Sequence, residues 1–131
     1  MTPAASREVA GYDLLVCDLD GTLIDGSMTL EPSLVTAFRR AAERGLAISL
    51  ATGRMPAAAD RYRDELGITA PVIYYNGALV RDGSGGSDLV SLTLPRGVLA
   101  PAWAVFSNAP VHPIFYRDGR LYCVEKTFEV R

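Results

Sequence analysis

Two aspartates one residue apart, Asp18 and Asp20, directly follow the apolar run Leu14-Leu15-Val16-Cys17. After a strand, residues two apart project to the same side, so both carboxylates can reach one site. Two close carboxylates repel, and a divalent cation is the usual relief. Magnesium suits the pair, because it takes hard oxygen ligands, keeps several waters and needs only one or two carboxylates plus a phosphate. One carboxylate can then attack phosphorus to form an acyl phosphate, and the other can protonate the leaving oxygen and later activate water. The plainer reading of Asp18-Leu19-Asp20-Gly21 is a solvated turn.

Two further polar stretches follow apolar runs. Thr52 can donate its hydroxyl hydrogen to a phosphate oxygen, and Gly53 lets backbone approach closely. Arg54 can pair with phosphate, pair with a carboxylate or hold its loop to a neighbour. Asn76-Gly77 is a turn signal, and Asn76 can equally orient a substrate.

The elements that must position these residues are legible as alternating patterns. Leu14 to Cys17, Leu46 to Ala51 and Val72 to Tyr75 are short apolar runs of the kind buried in parallel sheets. Thr29 to Arg44 reads as a helix, with Pro32 in its first turn, Leu34, Val35, Phe38, Ala41 and Ala42 on one face and Gly45 at its stop. Pro56 opens a second helix with a stripe of Ala58, Ala59, Tyr62 and Leu66, and Gly67 lies just past its end. The result is β-α-β-α-β with connections too long for hairpins, an α/β architecture with a doubly wound parallel sheet. In such sheets ligands bind beyond the carboxyl ends of the strands, which is where all three polar stretches fall.

The pattern changes after Ala78. Gly83-Ser84-Gly85-Gly86-Ser87 is turn-rich, and beyond it come a strand-like Leu89 to Leu94, a short helix near Val98 to Ser107 and a hairpin from Ile114 to Val124 turning at Asp118-Gly119. We read residues 1–81 as one domain and 82–131 as the start of another.

Composition narrows the function classes. The 131 residues carry a net charge of −2 with no basic stripe, which argues against a nucleic-acid surface. Apolar runs such as Leu14 to Cys17 fall far short of the roughly 20 residues of a membrane span. Cys17 and Cys123 form no disulfide framework, no secretory pattern opens the chain, and a reducing cytoplasm is the expectation. Cys17 lies in an apolar run and reads as core. His112 has no second histidine to complete a metal site or triad, and Trp103, Phe106, Phe115 and Tyr116 read as core of the second part.

Asp18-Leu-Asp-Gly-Thr-Leu-Ile-Asp25, Ser49-Leu-Ala-Thr-Gly-Arg54 and Tyr74-Tyr-Asn-Gly-Ala78, in that order, resemble the motifs of the haloacid dehalogenase (HAD) superfamily. The combination is similar to its Cof-type, subclass IIB phosphatases. The resemblance implies a Rossmann-like core whose third strand is followed by an inserted α/β cap, starting here near residue 82. It implies Asp18 as nucleophile, Asp20 as general acid/base, and magnesium held by the Asp18 carboxylate and the Asp20 backbone carbonyl. It further implies Thr52 on the transferring phosphoryl group, Asn76 near substrate, and a small phosphorylated metabolite such as a sugar phosphate as substrate.

Two further motifs of that family are not visible. One is a lysine that neutralises charge near the nucleophile, and the only lysine here, Lys126, falls inside the apparent cap. The other is an acidic stretch completing the metal site, which Asp118-Gly119, Glu125 and Glu129 do not reproduce. In the family the first strand is central, flanked by strands that follow the cap, so here Leu14 to Cys17 is expected to be an exposed edge. The chain therefore reads as an incomplete member. The competing expectations are an inactive remnant that self-associates or binds a complementing fragment through that edge, and a sugar-nucleotide transferase whose Asp-x-Asp holds a metal.

Overall fold

The computed structural model describes residues 11–124 and divides into two compact units, one ending at Ser91 and one beginning at Leu92. In the first unit, β1 (Leu14–Cys17) runs parallel to β2 (Ala47–Leu50), with Leu14 opposite Ala47 and Cys17 opposite Leu50. The third strand, β3 (Val72–Tyr74), joins β2 through a parallel bridge between Ala51 and Ile73 and a bond from the Thr52 amide to the Ile73 carbonyl. The parallel α/β architecture expected from the sequence is present.

Helix α1 spans Pro32–Ala42, shorter than the expected 29–44. The cause is local, since Pro32 occupies the first turn and holds the preceding Glu31 extended at φ −66°, ψ 132°. Phe38 is buried, with Leu34, Val35 and Ala41 half-buried behind it. Helix α2 (Pro56–Leu66) likewise starts on a proline. It ends where Gly67 turns left-handed at φ 68° and the Ile68 amide caps the Arg63 carbonyl, a Schellman closure. Ala59, Tyr62 and Leu66, spaced three and four apart, are the buried face of α2.

Burial centres on Leu19, Leu50, Tyr62, Val72 and Tyr74, each at most 1% exposed. Burying each large side chain stabilises by about 1.5–3 kcal/mol. β1 contrasts with this core, because Leu14, Leu15 and Val16 are 52%, 40% and 45% exposed.

After the turn at 75–78 the chain forms a meander. β4 (Leu79–Arg81) pairs antiparallel with β3, and β5 (Asp88–Ser91) pairs with β4 across a bulge at Val80/Arg81. The turn-rich stretch 83–87 is thus the loop of a hairpin, closed by the Asp82 amide on the Ser87 carbonyl. Residues 82–91 belong by their contacts to the first unit, ten residues past the boundary expected from composition.

In the second unit, α3 (Leu99–Phe106) precedes a hairpin of β6 (Phe115–Arg117) and β7 (Arg120–Tyr122). Asp118 and Gly119 are both left-handed, at φ 51° and 70°, as a two-residue hairpin turn requires. Trp103 and Phe106 meet Phe115 with ring centroids 6.4 and 6.5 Å apart. No residue from 92 to 124 is fully buried.

Candidate active site

The site is built where β1, β2 and β3 end. Leu19, fully buried, anchors the loop after β1, its carbonyl accepting the amides of Leu23 and Ile24 at 2.9 and 3.0 Å. Its neighbours Asp18 and Asp20 both point outward and are exposed, as alternation requires. One Asp18 oxygen, Oδ1, accepts the Leu19 amide at 2.8 Å.

The loops after β2 and β3 are laced together by backbone. Asn76 donates its amide to the Thr52 carbonyl at 3.1 Å, and Tyr75 donates to the Arg54 carbonyl at 3.1 Å. Thr52 is 3% exposed, and its Oγ1 accepts the Arg54 amide at 3.1 Å, leaving the hydroxyl hydrogen to be donated. Tyr75, Asn76 and Gly77 are successively left-handed, at φ 51°, 54° and 97°. Three such residues in a row reverse the chain within the site, and Asn and Gly accept that conformation most readily. A methyl group on Gly53 would stand 3.0 Å from Asn76 Oδ1, so the missing side chain is what lets Asn76 lie against this loop.

Asp18, Thr52, Gly53, Asn76 and Gly77 line one open cleft of about 420 Å³, with Ala51 and Ile73. Five of the seven residues singled out from sequence therefore share a cavity. The other two face each other, Arg54 donating from Nε to Asp20 Oδ2 at 2.8 Å and from Nη2 to Asp20 Oδ1 at 2.5 Å. Of the three roles open to Arg54, the structure shows the carboxylate pair. Its hydrogen bonds hold the Asp20 carboxyl below the usual carboxylate range, against a smaller opposing effect of burial.

Behind Arg54 stands a support that the sequence did not announce. The guanidinium lies 5.6 Å from the centroid of the buried Tyr62 ring, and Arg61 stacks on the same ring at 4.4 Å. The Tyr62 hydroxyl donates to the carbonyl of Met28 at 3.0 Å, and Arg61 donates to that carbonyl at 3.1 Å. Met28 itself is left-handed, at φ 58°. Tyr62 was visible as part of an apolar stripe, but nothing in its spacing pointed to a cation on its face.

Among the described residues no group of three or more His, Cys, Asp or Glu side chains is placed to hold a metal. Asp18 offers a carboxylate at the cleft, whereas the Asp20 side chain is turned to Arg54. Oxygen donors from this chain thus fit a hard cation that keeps most of its waters. Lys126, Glu125 and Glu129 lie outside the described residues, and His112 and Cys123 line a separate recess of the second unit. No helix among the described residues is long and apolar enough to cross a membrane.

Comparison with known proteins agrees with this geometry. A family model described as haloacid dehalogenase-like hydrolase matches residues 15–130. The pyridoxal phosphate phosphatase YbhA of Escherichia coli is 29% identical over 82% of this chain and 40% of its own. A crystal structure of a hypothetical protein from Geobacillus kaustophilus superposes at a TM-score of 0.69 with 30% identity, over 86% of this chain and 43% of that one. The subclass IIB sugar phosphatase BT4131, at 24% identity, shares the fold at a TM-score of 0.73 over 90% of this chain and 46% of its own. The chain spans 40–42% of the length of the first curated relatives it matches. A family match across nearly the whole sequence, with its motif residues gathered at three strand ends, establishes that this chain belongs to the haloacid dehalogenase-like hydrolases.

Proposed function

We propose that this chain carries the nucleophile-bearing part of a magnesium-dependent phosphatase that cleaves a phosphomonoester through an aspartyl-phosphate. The observation that carries the reading is the single cleft shared by Asp18, Thr52 and Asn76. With Oδ1 of Asp18 engaged by the Leu19 amide, Oδ2 is the oxygen free to attack. The bond from that oxygen to phosphorus forms as the phosphorus–ester bond breaks, and the departing alkoxide takes a proton from Asp20. Water then attacks the same phosphorus, gives its proton to Asp20, and releases phosphate and the Asp18 carboxylate. Thr52 donates to a phosphoryl oxygen, Gly53 leaves room beside it, and Asn76 with Gly77 orients the substrate.

The Asp18 carboxylate and the Asp20 backbone carbonyl would hold the magnesium ion, which when bound supplies charge neutralisation between nucleophile and phosphate. The Asp20–Arg54 pair favours ionised Asp20, which suits the second half-reaction, where Asp20 accepts a proton. The first half-reaction needs Asp20 protonated, so substrate entry must exchange the Arg54 contact.

A small phosphorylated metabolite is the substrate class. The relatives named as a pyridoxal phosphate phosphatase and a sugar phosphatase act on compounds of that kind. Two free thiols, Cys17 and Cys123, accord with a reducing compartment. The test is phosphate release from sugar phosphates and pyridoxal phosphate, with magnesium or with chelator, for this chain and its Asp18→Asn variant. Release that requires magnesium and falls at least about 10³-fold in the variant is expected. Soluble, folded protein without release, or release indifferent to Asp18, overturns the reading for this chain. The uncovered β1 favours the second reading in that case, a partner-binding piece without turnover of its own.

A further inference from the structure

We infer that Arg54 and Arg61 together form an anion subsite beside the cleft, and that the phosphomonoester it selects carries a second anionic group, a carboxylate or a further phosphate, on its leaving side. The inference rests on the proposed chemistry, in which Asp20 protonates the leaving oxygen. Both guanidiniums gather on one ring and one residue. Arg54 lies 5.6 Å and Arg61 4.4 Å from the centroid of Tyr62. Arg54 Nη2 reaches Met28 Sδ at 3.4 Å, and Arg61 Nη2 donates to the Met28 carbonyl at 3.1 Å and to the Tyr62 hydroxyl. These contacts fix where the two cations stand without cancelling either charge, because a ring face, a thioether, a carbonyl and a hydroxyl are all neutral. The carboxylate paired with Arg54 is Asp20. Among the described residues Arg61 pairs with no carboxylate, whereas Arg63, Arg81 and Arg117 each do.

Position and energetics select the part of the substrate that the subsite meets. The cleft proposed for the phosphoryl group is lined by Asp18, Thr52, Gly53, Asn76 and Gly77, and neither arginine is among its lining residues. Arg54 instead faces Asp20, beside which the leaving oxygen must lie. For Asp20 to donate to that oxygen, Arg54 must let go of the carboxyl, yet the Arg54 side chain is only 18% exposed. A largely buried guanidinium that loses its carboxylate is costly, since water replaces only part of the bonding. A second anion on the leaving group removes that cost. It takes the Arg54 fork in place of Asp20, and Arg61 adds the charge that holds it there. A neutral leaving group offers no such exchange.

The test compares 3-phosphonopropionate with propylphosphonate, two non-hydrolysable phosphonates of matched chain length, one ending in a carboxylate and the other in a methyl group. Each is titrated calorimetrically, with magnesium, into the full chain. The carboxylate compound should bind about tenfold or more tighter, an advantage that shrinks as salt rises. Arg61→Ala, at an exposed site, should cut that advantage to about threefold or less while leaving propylphosphonate within about twofold of its parent affinity. Arg39→Ala removes the same charge from an exposed position on α1 and should leave the advantage intact. Circular dichroism must show both variants folded like the parent. Equal affinity for the two phosphonates, or an advantage that Arg61→Ala does not move, overturns the inference and leaves the phosphoryl cleft standing. Binding of neither phosphonate overturns the cleft along with it. None of these readouts is phosphate release, so failure here and failure of the proposed chemistry are separable.

Discussion

The fork from Arg54 to Asp20 joins two of the site residues by a pair of hydrogen bonds, and its effect is directional. Both guanidinium hydrogen bonds go to the ionised carboxylate, which keeps the Asp20 pKa below its ordinary value. A depressed carboxyl pKa adds stability above the ordinary carboxylate range, and that stability is lost as pH falls through the folded value. Here the gain is small, because the Asp20 side chain is 53% exposed and water screens the pair. The expected consequence is therefore in titration rather than in folding. In an Arg54→Ala variant, carboxyl-carbon NMR should show Asp20 titrating at higher pH, back toward the ordinary range, with thermal stability changed by no more than about 1 kcal/mol. An unmoved Asp20 would mean that the fork does not persist in solution.

At the scale of elements, the hairpin between β4 and β5 is held against the loop after α2 by an absent side chain. A methyl group on Gly83 would lie 2.1 Å from the Thr69 carbonyl oxygen and 2.4 Å from that of Ala70. Both atoms are backbone, so neither can turn aside. Gly83→Ala should therefore cost about 3 kcal/mol or more by denaturant unfolding. Gly26→Ala, where a methyl meets nothing within 4 Å, is the control and should fall within about 0.5 kcal/mol of the parent. Equal stabilities would show that the hairpin can lift away without penalty.

Gly83 also shows where sequence reading stops. The helix start at Pro56, the stop at Gly67 and the turn at Asp118-Gly119 were legible, because each depends on backbone rules a few residues long, whereas the first helix was expected from Thr29 and starts at Pro32. The cluster Asp18, Thr52, Gly53, Asn76 and Gly77 was legible for a related reason, since topology brings parallel strand ends together. The Gly83 stretch, by contrast, looks flexible in one dimension, and only the docked neighbour explains its glycine. β4 escaped notice for the same reason. Three residues, Leu79 to Arg81, carry too little period, and their strand state comes from pairing with β3. Arg54 had three open roles until the fold put Asp20 within 2.8 Å of its Nε.

At the scale of the molecule, the first unit contains a phenol whose titration reports on the whole unit. Tyr74 is 1% exposed in β3, and its hydroxyl donates to Asp60 Oδ1 of α2 at 2.6 Å. Arg63 of the same helix pairs with Asp60 at 3.2 Å and also stands beside Gly85 in the β4–β5 loop. Helix, sheet and hairpin thus converge on one ionisable group. Burial first, and the Asp60 hydrogen bond second, push the Tyr74 pKa up to about 12. In the unfolded chain it returns to the ordinary value of about 10. Because the folded value is the higher one, the contribution of Tyr74 is complete below pH 10 and is lost as pH rises through about 12. Alkaline unfolding should therefore steepen between these values, with a late Tyr74 ionisation in absorbance at the phenolate band. Tyr74→Phe should remove that late phase and flatten the pH dependence of stability across the window. Loss of the Asp60 bond should lower stability at neutral pH by about 1 kcal/mol. If the Tyr74→Phe variant leaves the alkaline titration of the folded protein unchanged, then α2 is not seated on β3 in solution. The cleft would lose its support with it, since the buried Tyr62 that backs Arg54 lies on that helix.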